Sequence, residues 1–133
     1  FGYGDNTKSA LMTRGIKEIS RLGSCFGAKM DTFFGLAGIG DLIVTCSSLH
    51  SRNRKLGERI GKGIGLDDAM NRSHMIAEGV KTAYSIKRLS EKFDIEMPIC
   101  SAVYNVIYEN ADPVKEVDVL MNRDLKSESF IDY

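Results

Sequence analysis

Two short stretches of the chain carry the side chains best suited to chemistry. The first contains Asp41, a carboxylate that lies between Gly38-Ile39-Gly40 and the apolar run 42–44. A carboxylate among apolar residues is costly unless it is paired or hydrogen-bonded, so Asp41 is a candidate functional group. The alternative is a structural role, in which the side chain only caps the start of a helix.

The second stretch is Ser51-Arg52-Asn53, at the start of the basic segment 51–62. If this segment is helical, its first N–H groups and its dipole favour an anion at this end. Arg52 can then hold a phosphate through two parallel hydrogen bonds, while Ser51 and Asn53 donate others. The alternative is a solvated basic face, because residues 51–62 contain five basic side chains and one acidic one.

Several familiar sites are missing from the sequence. No Gly-x-Gly-x-x-Gly motif follows a strand pattern, and no phosphate-binding loop ending in Gly-Lys-Ser/Thr is present, which excludes a dinucleotide-binding domain within these residues. The cluster Gly61-Lys62-Gly63-Ile64-Gly65 follows a helical pattern, so we expect it to end a helix. Neither His50 nor His74 has a partner at metal-ligand spacing, and we expect no metal site.

Composition and charge narrow the classes of function further. The 133 residues include 18 basic and 18 acidic side chains, and this balance argues against nucleic acid as a partner. No apolar run approaches the roughly 20 residues that a membrane-spanning helix needs. Cys25, Cys46 and Cys100 are odd in number and widely spaced, which predicts small buried side chains in a reducing, cytoplasmic compartment.

Helical periodicity dominates the elements that must position these side chains. It predicts a single all-α domain of six to eight helices over residues 1–133, with a frayed tail at 126–133. The first helix begins near Asp5-Asn6, and either residue can cap it. The run 42–46 looks strand-like but is short and isolated, so we interpret it as buried helix or irregular chain. Later helix starts are marked by Pro98 and Asp112-Pro113.

Several motifs, in one order along the chain, carry a resemblance to a known family. They are Phe1-Gly2-Tyr3-Gly4-Asp5-Asn6-Thr7-Lys8, Gly35-Leu36-Ala37-Gly38-Ile39-Gly40-Asp41-Leu42, Thr45-Cys46, Ser51-Arg52-Asn53-Arg54, Ile76-Ala77-Glu78-Gly79-Val80, Glu96-Met97-Pro98-Ile99 and Ala102-Val103-Tyr104. Over essentially all 133 residues, the chain resembles the C-terminal domain of NAD(P)-dependent glycerol-3-phosphate dehydrogenase, of the bacterial and organellar type. The resemblance implies a multi-helix domain similar to that of the 6-phosphogluconate dehydrogenase superfamily.

The resemblance also implies a reaction and its residues. The reaction is reversible hydride transfer between NAD(P)H and the C2 carbonyl of dihydroxyacetone phosphate, giving sn-glycerol 3-phosphate for phospholipid synthesis. Asp41 would orient the catalytic lysine or hold a glycerol hydroxyl, and Thr45 would line the same cleft. The phosphate would be held by Ser51, Arg52 and Asn53. The cofactor, NAD or NADP, would be contacted by Arg52, Ile76 and Glu78.

In the family, the proton-transferring lysine lies in an Ala-Leu-Lys-Asn segment upstream of the residues matched here. By this resemblance the chain lacks the lysine and the N-terminal Rossmann domain, which would be its partner, and we expect the isolated chain to be inactive. Lys8 is not that lysine; we expect it to pair with a carboxylate at a helix start.

Two alternatives remain open. One is the helical domain of another 3-hydroxyacid-type dehydrogenase. The other is a helical binding or oligomerisation module without enzymatic activity. A homodimer, in which the apolar stripes of the helices pack against a second copy of the chain, is compatible with each of these functions.

Overall fold

The structure is a computed structural model that describes residues 1–71 and 78–123. No strand occurs among these residues, and the predicted all-α fold is confirmed. In chain order, the elements are α1 (Asp5–Ser24), α2 (Met30–Phe34), a π-helical turn (Leu36–Gly40), α3 (Asp41–Ser47), α4 (Arg52–Gly61), α5 (Leu66–Asn71), α6 (Glu78–Phe93), α7 (Pro98–Tyr108) and α8 (Pro113–Met121).

Two helix ends are set by the local signals that the sequence contains. Asp112 caps α8 by accepting a hydrogen bond from the Val114 N–H at 2.9 Å, and Pro113 follows at the first helical position. At the end of α4, Gly63 adopts a φ of 81° and its N–H bonds back to the Ile60 carbonyl. The prediction that this glycine cluster ends a helix is confirmed.

The start of α1 differs from the prediction. Gly4 occupies the capping position and no side chain caps the helix, so the expected cap by Asp5 or Asn6 is wrong. Asp5 already lies in the first turn, where its carboxylate pairs with the Lys8 ammonium at 2.7 Å. A carboxylate in the first turn is favoured by the helix dipole, which gives Asp5 a different stabilising role. The expected pairing of Lys8 with a carboxylate is confirmed.

Helix α1 packs against α2, α3 and α7. Its buried residues form two pairs spaced by one turn, Ile16 with Ser20 and Glu18 with Leu22. Because successive residues turn by 100°, these two pairs lie on roughly opposite faces. Both of these faces are therefore covered along the C-terminal half of the helix, and each buries one polar side chain, Ser20 on one face and Glu18 on the other.

The buried carboxylate of Glu18 joins α1 to the start of α7. One oxygen accepts a hydrogen bond from the Ile99 N–H at 2.8 Å, and the other accepts from the Cys100 N–H at 3.1 Å. Met97, which precedes α7, provides no side-chain cap. Glu18 therefore satisfies N–H groups that would otherwise lack a partner at this helix end. Burial raises the pKa of Glu18, and the two backbone hydrogen bonds oppose part of that effect.

A second buried cluster holds α4, α5 and α6 together. Leu56 on α4 and Ala69 on α5 are buried, and Val80 on α6 packs against them with Ile60, Ile64, Leu66 and Met70. The Arg59 guanidinium also donates to the Ala69 carbonyl at 2.9 Å. This cluster fixes the position of α4, the helix that begins with the predicted anion-binding residues.

Residues 30–47, which comprise α2, the π-helical turn and α3, contain no buried residue. Leu36 is 91% exposed and Val44 is 65% exposed. The interpretation of residues 42–46 as helix is confirmed, but the expectation that they are buried is wrong. Their apolar side chains lie largely at the surface of this domain instead of in its core.

The expectation of buried cysteines is also wrong in two of three cases. Cys25 and Cys46 are exposed, and Cys100 is partly buried. Burial, together with the neighbouring Glu18 carboxylate, raises the pKa of the Cys100 thiol to about 12. Apolar neighbours in the sequence do not bury a side chain at a helix surface that no other element covers.

None of the described helices combines the length and apolar character needed to cross a membrane. The predicted frayed tail at 126–133 lies outside the described residues.

Candidate functional site

The start of α4 has the features that its sequence predicts. Ser51 is the N-cap, and its hydroxyl oxygen accepts a hydrogen bond from the Arg54 N–H at 3.3 Å. Its carbonyl accepts from the Lys55 N–H at 3.0 Å. The N–H groups of Arg52 and Asn53, which precede these two, remain available at the positive end of the helix dipole. Because the Ser51 oxygen serves as acceptor, its O–H proton is available to donate to an anion.

The start of α6 lies directly against the start of α4. The Arg52 guanidinium is 3.8 Å from the Glu78 carboxylate, and the Gly79 N–H donates to the Asn53 amide oxygen at 3.1 Å. Both side chains of the ion pair are exposed, Arg52 by 44% and Glu78 by 81%. The structure therefore brings Arg52 and Asn53 together with Glu78 and Gly79, and each of the two contacts joins residues 26 positions apart in the sequence.

Asp41 and Thr45 lie on α3, which is not one of the two helices that form this junction. They are four residues apart, so they occupy the same face of the helix, and both are exposed. None of the ion pairs within residues 1–71 and 78–123 includes Asp41. Asp41 begins α3 and Gly40 precedes it as the cap, so the alternative role of Asp41 as the N-cap is not observed.

The π-helical turn that precedes Asp41 depends on close backbone packing. A side chain at Gly38 would collide with the backbone carbonyl of Phe33, so this position tolerates only glycine. Turns of this kind are frequent at functional sites, and here the turn leads directly into the helix that carries Asp41.

One hydrogen bond connects α3 to α4. The Arg54 guanidinium donates to the Ser47 carbonyl at 3.4 Å, at the C-terminal end of α3. Asp41 lies at the opposite end, six residues or about 9 Å along the helix axis. A shared cleft between Asp41 and the start of α4 therefore stays a prediction.

Three other basic side chains in or next to α4 are engaged within the domain. Arg54 and Arg59 donate to backbone carbonyls, and Lys62 pairs with Glu58 at 3.4 Å. Because these three side chains already bind groups of this domain, they are less suited to contact the phosphates of a nucleic acid. In the part of the chain that the structure describes, no group of three His, Cys, Asp or Glu residues is arranged to hold a metal ion. Ile76, the third predicted nucleotide contact, lies outside the described residues.

Gly79 has no role in the sequence-based prediction, although it lies in one of the motifs that carry the family resemblance. The signal was a glycine next to Glu78 in what becomes the first turn of a helix, where glycine is a poor helix former. The contact that explains it, with Asn53, joins residues that no local pattern relates.

Comparisons with known proteins agree with the fold. The family model for the C-terminus of NAD-dependent glycerol-3-phosphate dehydrogenase matches residues 1–118. A glycerol-3-phosphate dehydrogenase [NAD(P)+] from Clostridium botulinum is 54% identical over 129 residues, which are 97% of this chain and 39% of the relative. One named glycerol-3-phosphate dehydrogenase [NAD(P)+] 2, from Salinibacter ruber, is 55% identical over 130 residues, 98% of this chain and 38% of the relative.

A solved structure is similar to this chain in fold and in sequence. The crystal structure of glycerol-3-phosphate dehydrogenase from Coxiella burnetii matches with a TM-score of 0.88 and 39% identity, over 90% of this chain and 37% of that one. The chain thus spans about two fifths of the length of the curated relatives it matches. By the family model and by these relatives, the chain belongs to the family of NAD-dependent glycerol-3-phosphate dehydrogenase C-terminal domains.

Proposed function

We propose that residues 1–133 are the substrate-binding domain of an enzyme that interconverts dihydroxyacetone phosphate and sn-glycerol 3-phosphate with NAD or NADP. The observation that carries this proposal is the junction of α4 and α6, where Arg52 and Asn53 meet Glu78 and Gly79. There the residues proposed for the phosphate and those proposed for the nucleotide form one surface.

A phosphate ester fits the start of α4 because residues 51–53 of this segment offer several hydrogen-bond donors. The N–H groups of the first turn, the Ser51 hydroxyl proton and the Asn53 NH₂ group point to a ligand that accepts hydrogen bonds. Arg52 adds a positive charge and two parallel donors, which suit a phosphate better than a neutral hydroxyl group. This set also favours the phosphate substrate over the substrates of other 3-hydroxyacid-type dehydrogenases, which would need a different contact.

The same surface fits one edge of a nicotinamide nucleotide. The Glu78 carboxylate is exposed and accepts hydrogen bonds, which suits ribose hydroxyl groups, while the neighbouring Arg52 suits the nucleotide's phosphates. The cofactor supplies the hydride when it is bound. We propose that Arg52 and Glu78 orient it, together with Ile76.

On α3, we propose that Asp41 faces the reacting end of the substrate. Its exposed carboxylate can accept a hydrogen bond from a glycerol hydroxyl or pair with the catalytic lysine, the two roles that the resemblance implies. Thr45, one turn further along the same face, would line the same cleft.

The exposed apolar side chains indicate where further protein packs. Leu36, Val44 and Leu49 belong to one stretch of the chain and are 91%, 65% and 70% exposed, and clustered apolar side chains at a surface mark sites of protein contact. We propose that the N-terminal Rossmann domain covers part of this surface. A homodimer stays a prediction.

The test of the phosphate contact is Arg52→Ala in the full-length enzyme that carries this domain. We expect kcat/KM for dihydroxyacetone phosphate to fall by roughly two orders of magnitude or more, because two charged hydrogen bonds are lost. The matched control is Lys62→Ala, which removes the same charge from the opposite end of α4 and should leave kcat/KM within about twofold of wild type. Equal effects of both substitutions would show that the phosphate is held elsewhere.

We further propose that the isolated 133-residue chain folds but has no dehydrogenase activity. A carbonyl reduction without its proton donor loses roughly 10²–10⁴ in rate, and the nucleotide needs the Rossmann domain to hold it. The measurement is dihydroxyacetone phosphate reduction with NADH and with NADPH. Turnover above the blank would contradict this proposal. The product would serve phospholipid synthesis, in a cytoplasmic enzyme consistent with three free cysteines.

A further inference from the structure

The contact between Asn53 and the first turn of α6 requires a residue without a side chain at position 79. A Cβ atom at Gly79 would lie 2.7 Å from the Asn53 amide oxygen, 2.9 Å from its Cγ and 3.1 Å from its Nδ2. Because the three distances are similar, the amide lies flat against the place that a Cβ atom would occupy. Rotation of the amide about its own axis would not relieve the collision, and the whole side chain would have to move.

Backbone conformation does not explain the glycine. The φ angle of Gly79 lies outside the left-handed region, so alanine could adopt the same backbone. Alanine is also the better helix former, and glycine therefore costs the helix some stability. The contact with Asn53 is the feature of this position that only glycine allows.

The hydrogen bond from Gly79 also fixes which way the Asn53 amide faces. A backbone N–H can only donate, so the amide group must turn its oxygen toward Gly79. The NH₂ group is then left to donate to another partner. A phosphate accepts hydrogen bonds and donates none when fully ionised, so this orientation suits a phosphate at the start of α4.

We propose that Gly79 is a positioning residue for the phosphate substrate. By lacking a side chain, it lets the Asn53 amide rest against α6 with its oxygen bonded and its NH₂ group presented to the phosphate. The role of Gly79 rests on the proposed function, because it acts through a residue assigned to the phosphate. The orientation of the Asn53 amide follows from the contact itself.

The experiment compares three variants of the full-length enzyme: Gly79→Ala, Asn53→Ala and the double variant. We expect Gly79→Ala to raise the KM for dihydroxyacetone phosphate roughly tenfold, the size of one hydrogen bond to a charged group. The KM for the nicotinamide nucleotide should change much less. The melting temperature should change little, because the helix propensity of alanine offsets the lost Asn53 contact.

The double variant tests whether Gly79 acts through Asn53. If it does, the double variant has the KM of Asn53→Ala alone, since the amide that Gly79 positions is already missing. The matched control is Gly57→Ala in α4, where a Cβ atom would meet nothing within 4 Å. This control should leave both KM values at the wild-type level and should not lower the melting temperature.

The possible results distinguish an error in the role of Gly79 from an error in the proposed function. A wild-type enzyme without glycerol-3-phosphate dehydrogenase activity would overturn the proposed function, and Asn53→Ala with an unchanged KM would remove Asn53 from the phosphate site. If Asn53→Ala raises the KM while Gly79→Ala does not, the proposed function stands and the role of Gly79 is wrong. Additive effects in the double variant would also overturn that role.

Discussion

The two regions that carry the predicted site residues are built in different ways. The start of α4 is held by a buried cluster around Leu56 and Ala69 and by two contacts with α6. Residues 30–47, which carry Asp41, contain no buried residue and expose large apolar side chains such as Leu36. One half of the proposed site is therefore built by the packing of this domain, and the other half lies on a surface that this domain leaves uncovered.

This difference indicates how the two halves reach their working geometry. At the α4–α6 junction, Arg52 contacts Glu78 and Asn53 contacts Gly79 within the domain itself, so the proposed phosphate and nucleotide contacts are positioned by this domain. Asp41 and Thr45 are positioned by a short helix with few buried contacts, a feature of segments with low local stability. We expect their final geometry to depend on the protein surface that covers residues 30–47.

Truncation of one apolar side chain in each region should give the largest difference between them, measured as the free energy of unfolding. Leu56→Ala removes a side chain that is 7% exposed, and it should lower the free energy of unfolding of the chain by about 2–5 kcal/mol. Val44→Ala removes one that is 65% exposed, and it should change the free energy by less than about 0.5 kcal/mol. Urea unfolding followed by circular dichroism measures both.

Similar losses of stability in the two variants would contradict the proposed difference in packing between the two regions. A large loss for Val44→Ala would mean that residues 30–47 form part of the core of the isolated domain. The same pair in the full-length enzyme would sharpen the comparison, because Val44→Ala should become more destabilising once its side chain is covered.

The fold could be predicted from the sequence because helix signals are local. Apolar spacing, Pro98, Asp112-Pro113 and the glycine cluster at 61–65 each act within one or two turns, and the helices begin and end close to them. Burial could not be predicted as well, because it depends on which other element covers a helix face. Cys46 has apolar neighbours in the sequence yet is exposed, whereas the charged Glu18 is 2% exposed.

Prediction of the candidate site from the sequence is limited in the same way. The anion-binding character of Ser51-Arg52-Asn53 follows from residue types at a helix start, and the structure places Ser51 as the cap. The resemblance to a family supplied Glu78, and the structure adds the ion pair with Arg52. Neither source indicated that Asn53 faces Gly79, because a contact across 26 residues depends on how the start of α6 meets the start of α4.

A smaller effect is expected from Glu18, which ties α1 to α7, the helix on which α6 packs. Glu18→Gln keeps one acceptor for the two N–H groups but turns an NH₂ group toward the other. Because one buried N–H then loses its partner, we expect a loss of about 1–3 kcal/mol in the free energy of unfolding. The size of this loss should depend on pH.

The direction of the pH dependence follows from the raised pKa of Glu18. Burial lifts this pKa above its ordinary value of 4.5, while Arg21 and the hydrogen bonds from Ile99 and Cys100 oppose the shift. Between pH 4.5 and the raised pKa, the folded chain binds more protons than the unfolded chain, so the wild type loses stability as the pH rises through this window. Glutamine does not titrate, and the stability difference between the wild type and Glu18→Gln should therefore narrow from pH 4.5 toward neutrality. Urea unfolding of both proteins across this range measures the difference. A stability difference that widens with pH would mean that the two N–H hydrogen bonds favour the charged carboxylate of Glu18 more than burial disfavours it. The pKa of Glu18 would then be lowered, and the charged side chain would stabilise the start of α7.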